Sequence, residues 1–207
     1  MARIQLSLCP WLITMAILIV VATLSFSIAP VSAGEPSLEE VLQHCGYNLD
    51  NFEELSGDVF FFPPGAYEVK LHAEWTIFHR INYMGWYIEE TGDYGVIFKG
   101  PEGRKLLMGY VEPPITKIFR LESDYGLFLH VKHVKPLRPR TYYTNKTKNP
   151  DNKIHVRIFK SKTEDLWLIG WEDLPILIPA IHDYQDMVVA LKKLSGPPKI
   201  ESLRLVN

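Results

Sequence analysis

Apolar and polar positions change period along the chain. From Ile4 to Val31 nearly every residue is apolar, with Arg3 ahead of the run and Val31-Ser32-Ala33 behind it. A basic start, an apolar stretch and a small-residue site define an export signal. Trp11 to Ile28 is also nearly long enough to span a bilayer, so an uncleaved membrane anchor is the alternative. The period then becomes helical. Leu38, Val41 and Leu42 share one face, Ser37 can cap the start, Glu40 completes a capping box, and Gly46 stops the turn. This two-turn helix is expected to plug one end of a larger body.

Beyond Gly57 the period shortens to two. Val59–Phe62, Tyr67–Trp75, Tyr83–Ile88, Gly95–Lys99, Lys105–Val111, Lys117–Leu121, Gly126–Val131, Ile154–Phe159, Leu166–Trp171 and Met187–Leu191 read as strands, bounded by Gly, Pro, Asp or Asn. Many short strands with almost no helix predict an all-β fold, a β-sandwich or jelly roll with one short N-terminal helix after the signal segment. The expected organisation is a signal peptide or anchor at 1–33, a short helical lead-in at 34–56 and a β-sandwich domain at 57–207. Gly92-Asp93-Tyr94-Gly95 and Ser123-Asp124-Tyr125-Gly126 look alike and read as a turn leading into a strand, not as a repeat.

At 207 residues, 47% hydrophobic and 12% aromatic, the chain can bury one core and not two large ones. A net charge of -2 gives no general attraction to nucleic acid or membrane, so contact with a membrane is expected only through residues 1–33 if they stay uncleaved. Cys9 falls in the export segment, which leaves Cys45 alone and excludes an internal disulfide framework. A single cysteine of this kind reads as a small hydrophobe and not as a nucleophile.

Charge is segregated along the chain. Residues 34–69 hold eight acids and no Lys or Arg, whereas 125–163 hold ten bases against Asp151 alone. Two solvated faces that pair loosely account for this. A docking surface for an anionic polymer or lipid headgroup is the sharper alternative. The stretch 136–152 is polar enough to read as a surface loop, and its Asn145-Lys146-Thr147 is an N-glycosylation sequon.

The densest candidate chemistry lies near the C-terminus. Glu172-Asp173 follows one apolar run, and Asp183-Tyr184-Gln185-Asp186 precedes another. Residues three apart in a turn can aim at one centre, so Glu172, Asp173, Asp183 and Asp186 are candidate ligands of an all-oxygen cation site, with Tyr184 packing inward. Hard oxygen ligands favour calcium over zinc. The alternative is a pair of turn-capping aspartates plus solvated acids, which need no metal.

These residues also carry a resemblance. Tyr142-Tyr143-Thr144, Asn149-Pro150-Asp151, His155-Val156-Arg157-Ile158-Phe159, Gly170-Trp171-Glu172-Asp173-Leu174 and Asp183 through Val189 resemble, in order and spacing, the domain-of-unknown-function 4114 family. Ser37 through Leu42, Pro64 through Val69 and Gly85-Trp86-Tyr87 are similar to that family's N-terminal half. The resemblance implies an exported β-rich domain of the secreted or cell-surface kind, cation-binding and without established enzymatic activity. The chain departs from the family pattern at Ile181, where an acid is usual, at Gln185, where Asn is usual, and in the apolar loop Pro175–Ala180. One potential ligand is thereby lost.

Catalysis has little to stand on. The histidines are scattered, His130 and His133 would point to opposite faces of a strand, and no Gly-x-Ser-x-Gly, His-Glu-x-x-His or phosphate loop is present. The stronger rival is a carbohydrate-binding module in which Trp75, Trp86, Trp167 and Trp171 stack on sugar faces, against the reading of these aromatics as core. The chain is thus expected to be a non-catalytic, extracytoplasmic domain, secreted or on the cell surface. It would bind calcium and serve structure, adhesion or matrix interaction with a surface polysaccharide or another surface protein as partner.

Overall fold

The computed structural model describes residues 35–78, 80–102, 108–132, 139–174 and 183–196. The export segment 1–33, His133, His182, Ile181 and the loop Pro175–Ala180 lie outside these residues. Among the described residues no helix is long and apolar enough to cross a membrane.

Among the described residues ten strands form two antiparallel sheets, in keeping with the predicted all-β sandwich-like architecture. They are β1 (Phe52–Glu54), β2 (Gly65–Glu74), β3 (Asn82–Tyr87), β4 (Tyr94–Lys99), β5 (Gly109–Leu121), β6 (Gly126–Val131), β7 (Arg140–Tyr143), β8 (Val156–Ser161), β9 (Leu166–Trp171) and β10 (Met187–Lys193). The larger sheet runs β1-β8-β9-β10-β2-β5 and the smaller runs β4-β3-β6-β7. One core cluster takes residues from both, including Tyr67, Val69 and Leu71 of β2, Leu127 and Leu129 of β6, and Trp167, Ile169 and Trp171 of β9. Each side chain fully removed from water there contributes about 1.5–3 kcal/mol of hydrophobic stabilisation.

The helix α1 (Leu38–His44) has its predicted capping box, with Ser37 N–H donating to Glu40 Oε2 at 2.7 Å and Glu40 N–H to Ser37 Oγ at 3.2 Å. Gly46, at φ +89°, takes the left-handed position just past its end. The helix does not plug an end. Leu38, Val41 and Leu42 form a second cluster with Phe159, Leu168, Val188 and Ala190, so α1 covers the face of the large sheet that does not meet the small sheet. Odd and even positions of β9 and β10 are therefore both buried, which explains why Leu166–Trp171 and Met187–Leu191 read as continuous apolar runs.

Several details differ from the sequence reading. The expected strands at 105–111 and 117–121 belong, where described, to the single strand β5, whose register against β2 shifts between Leu71 and Ala73, opposite Pro113-Pro114. Proline cannot donate to the ladder, so the pair sits where pairing is interrupted. Val59 and Phe62 make only isolated bridges, to Asn145 and Tyr125. Inside the stretch 34–56, Phe52–Glu54 pairs with β8 as an edge strand.

The supposed polar loop 136–152 contains β7, which pairs with β6 and buries Tyr142. Its sequon asparagine is committed inward. Asn145 is 6% exposed, donates from Nδ2 to Glu89 Oε2 at 3.3 Å, and accepts from Thr147 N–H at 3.0 Å. The look-alike turns do lead into strands β4 and β6, but Tyr94 is 73% exposed and Tyr125 is 0% exposed.

A candidate cation corner between two central strands

The ladder between β9 and β10 sets the geometry. Met187 lies opposite Trp171, so the residues one step further out, Glu172 and Asp186, emerge side by side. Asp183 joins them by way of the turn that ends in Asp186. One oxygen from each of Glu172, Asp183 and Asp186 lies within 4.8 Å of the others. Tyr184, inside that turn, holds φ +55°, a left-handed conformation unusual for a bulky residue. Its ring does not enter the inter-sheet core. It packs on the α1 side of the sheet, 6.0 Å from the Arg157 guanidinium.

Asp173, the fourth expected ligand, is not brought into this group. Its Oδ2 accepts from Thr76 Oγ1 at 2.6 Å and from Asn82 Nδ2 at 2.8 Å. Its backbone N–H donates to Asp186 Oδ2 at 2.7 Å. Asp173 thus ties the mouth of β9 to Thr76, just past β2, and to Asn82, the first residue of β3, a structural task that the sequence reading missed. Thr76 and Asn82 carried no sequence signal for it, because their relation to Asp173 exists only across the fold.

Burial dominates the electrostatics. It pushes the Glu172 carboxyl up to about 7, opposed by the Leu174 N–H that donates to Glu172 Oε1 at 3.0 Å. It pushes Asp186 well above the usual carboxylate range, reinforced by the negative charges of Asp173 and Glu172. Asp173 is also raised by burial, with the Thr76 and Asn82 hydrogen bonds and the charge of Arg140 pulling the other way. Concentrated, desolvated carboxylates need either protons or a cation. Glu172 Oε2 and both polar atoms of the Gln185 side chain are buried without a hydrogen-bond partner.

Behind the corner stands an ordered support. Glu172 N–H donates to the His155 carbonyl at 2.9 Å, and His155 Nδ1 faces the Glu172 carbonyl at 3.2 Å. The other ring nitrogen of His155 faces both Asp151 carboxylate oxygens, at 3.0 and 3.1 Å, and the ring stacks on Tyr142 with centroids 3.6 Å apart. Asn149 Oδ1 accepts from Tyr143 N–H at 2.6 Å, and Asn149 Nδ2 donates to the Lys153 carbonyl at 2.7 Å. The motif residues around 142–159 and 170–174 therefore meet in space.

The other sequence candidates resolve as follows. Trp171 is 0% and Trp167 6% exposed, both in the inter-sheet core, while Trp75 and Trp86 are half-buried against hydrophobic clusters, so these four do not form a stacking platform. Cys45 caps α1, and burial followed by the charge of Glu112 raises its thiol to about 11. The segregated charges meet each other: Arg157 reaches Glu39 and Glu54, and Lys146 reaches Asp58. No family model matches the chain, and neither a curated protein nor a solved structure shows significant similarity to it.

Proposed function

We propose that the chain is a non-catalytic, extracytoplasmic β-sandwich module in which Glu172, Asp183 and Asp186 hold a divalent cation that braces the connection between β9 and β10. The observation that carries the reading is the approach of three carboxylate oxygens to within 4.8 Å in a largely buried corner. An all-oxygen set favours calcium, whose six to eight ligands would be completed by carbonyls and water. The resemblance to the domain-of-unknown-function 4114 family points the same way and to a secreted or cell-surface setting. A module of this kind serves surface structure, adhesion or matrix contact.

Calorimetric titration with calcium tests the proposal, together with melting temperature in calcium and in chelator. Calcium should raise the melting temperature, and Asp183→Ala should abolish the rise. No heat and no shift at millimolar calcium would reject the cation site and leave the acids as a proton-neutralised structural corner.

A further inference from the structure

The outer face of the small sheet does not look like a solvent face. An antiparallel sheet with one face on the core normally turns polar residues outward on the other. Here each of three cross-strand rows carries two aromatic rings, beside Gly126 in the first, Val96 and Gly85 in the second, and Lys99 and Thr141 in the third. Tyr94 of β4 lies opposite Tyr87 of β3. In the next row Gly85 lies opposite Phe128 of β6, which lies opposite Tyr143 of β7. In the third, Tyr83 lies opposite His130, itself opposite Thr141. Together these rows line an open groove of about 660 Å³, a size that suits a small ligand or a short stretch of polymer.

Glycines shape the floor. A Cβ on Gly85 would come within 2.6 Å of the Phe128 ring, and one on Gly126 would run into the ring of Tyr87. Both rings therefore lie down across the strands instead of standing up and filling the groove. The ring contacts continue along it, Tyr87 to Tyr143 edge-on at 5.1 Å and Tyr83 stacked against His130 at 6.2 Å. Tyr94 stands at the rim, 73% exposed.

Polar groups sit at both ends. Lys148 Nζ is 3.2 Å from Glu89 Oε1 and 5.6 Å from the centre of the Tyr87 ring. At the other end His130 Nδ1 is 2.8 Å from Thr141 Oγ1, and burial followed by the charge of Lys132 lowers the His130 ring's proton affinity. Among the described lining residues the carboxylate of Glu89 and the ammonium of Lys148 neutralise each other. That balance disfavours phosphate-bearing polymers, which need a basic track. It suits a ligand with apolar faces, hydroxyl edges and no charge. Tyrosine offers a matching combination of ring face and hydroxyl.

We infer that the face formed by Tyr83, Tyr94 and Tyr143, floored by the nearly buried rings of Tyr87 (6% exposed) and Phe128 (7%), is a binding site for a neutral carbohydrate chain, whose sugar faces lie on the three more open rings and whose hydroxyls meet Glu89, Lys148, His130 and Thr141. It is built from the strands of the other sheet and does not rest on the cation reading.

The full chain is screened on an array of neutral glycans and then run in native gels cast with soluble neutral polysaccharides, with heparin and a proline-rich peptide as competitors. Retardation by a neutral glycan is expected. Tyr94→Ala should weaken it roughly five- to tenfold without moving the melting temperature, because that side chain is exposed, and Tyr83→Ala should weaken it likewise. Binding to no neutral glycan overturns the inference, as does retardation that both variants leave unchanged. Occupancy of the groove by heparin or by the proline-rich peptide alone overturns it too.

Discussion

Asp173 donates its backbone N–H to Asp186 Oδ2 at 2.7 Å, so residues thirteen apart in the chain close the base of the acidic corner. The two carboxylates nevertheless have different work. Asp173 spends Oδ2 on Thr76 and Asn82, whereas Asp186 opens toward Glu172 and Asp183. Asp173→Ala should remove the buried acceptor that Thr76 Oγ1 and Asn82 Nδ2 share and cost about 3 kcal/mol, read by urea unfolding in chelator. Asp183→Ala should change calcium-dependent stability, which for a bound ion at a hundredfold excess over Kd amounts to about 2.7 kcal/mol. Equal effects of the two variants on the calcium response would contradict this division.

Gly170 of β9 lies directly against Leu38 of α1. A Cβ there would come within 2.6 Å of the Leu38 side chain and would also strike the Tyr184 carbonyl. Gly170→Ala should cost about 1–3 kcal/mol through overpacking, even though alanine suits a strand at least as well as glycine. Tryptophan-monitored unfolding of Gly170→Ala, Leu38→Ala and the double variant checks the cause: the double variant should lose less than the sum of the two single losses.

His72 supplies a pH dependence. Burial, helped by the charge of Lys70, lowers its ring to about 4, and its Nε2 lies 3.0 Å from the Tyr47 hydroxyl. The unfolded chain takes up the proton near the ordinary value of about 6.5, before the folded chain does. Stability from this residue is therefore complete above about 6.5 and falls as pH drops toward 4, by about 2–3 kcal/mol in all. In His72→Gln the stability profile over that window should be flatter than in the parent. A parallel profile would reject the assignment.

Arg157 joins three separate segments. Its Nε and Nη2 donate to the two Glu54 oxygens at 2.7 and 2.8 Å, its Nη1 donates to Glu39 at 2.8 Å, and its guanidinium lies 5.1 Å from the Phe159 ring. Lysine cannot reproduce that fork. Arg157→Lys should lose about 1 kcal/mol, with the gap to the parent narrowing in 1 M salt as screening weakens the pairs in both. A gap insensitive to salt would mean that packing on Phe159 carries the effect.

Much of the fold was legible because strand burial repeats every second residue. Leu166–Trp171 and Gly126–Val131 have the bounds that their apolar patterns indicated, and the capping box at Ser37 and Glu40 formed as spaced. β7 was missed because its inward residues are Arg140 and Tyr142 and its neighbours are polar, so no apolar alternation marks it. The position of α1 was missed because its apolar face matches any covering surface. The aromatic groove was visible only as the spacing Tyr83-x-Gly85-x-Tyr87 and Gly126-x-Phe128-x-His130, which is equally the pattern of a strand facing a core.

By itself the sequence determined the all-β class, most of the strands and the two acidic segments, since period and turn chemistry are local properties. The tertiary structure decided which acids meet. Opposition of Met187 to Trp171 sets Glu172 beside Asp186, while Thr76 and Asn82, distant in the chain, draw Asp173 away. Register and hydrogen bonding across the fold, which no local spacing encodes, turned four acidic positions into three grouped oxygens and one structural tie.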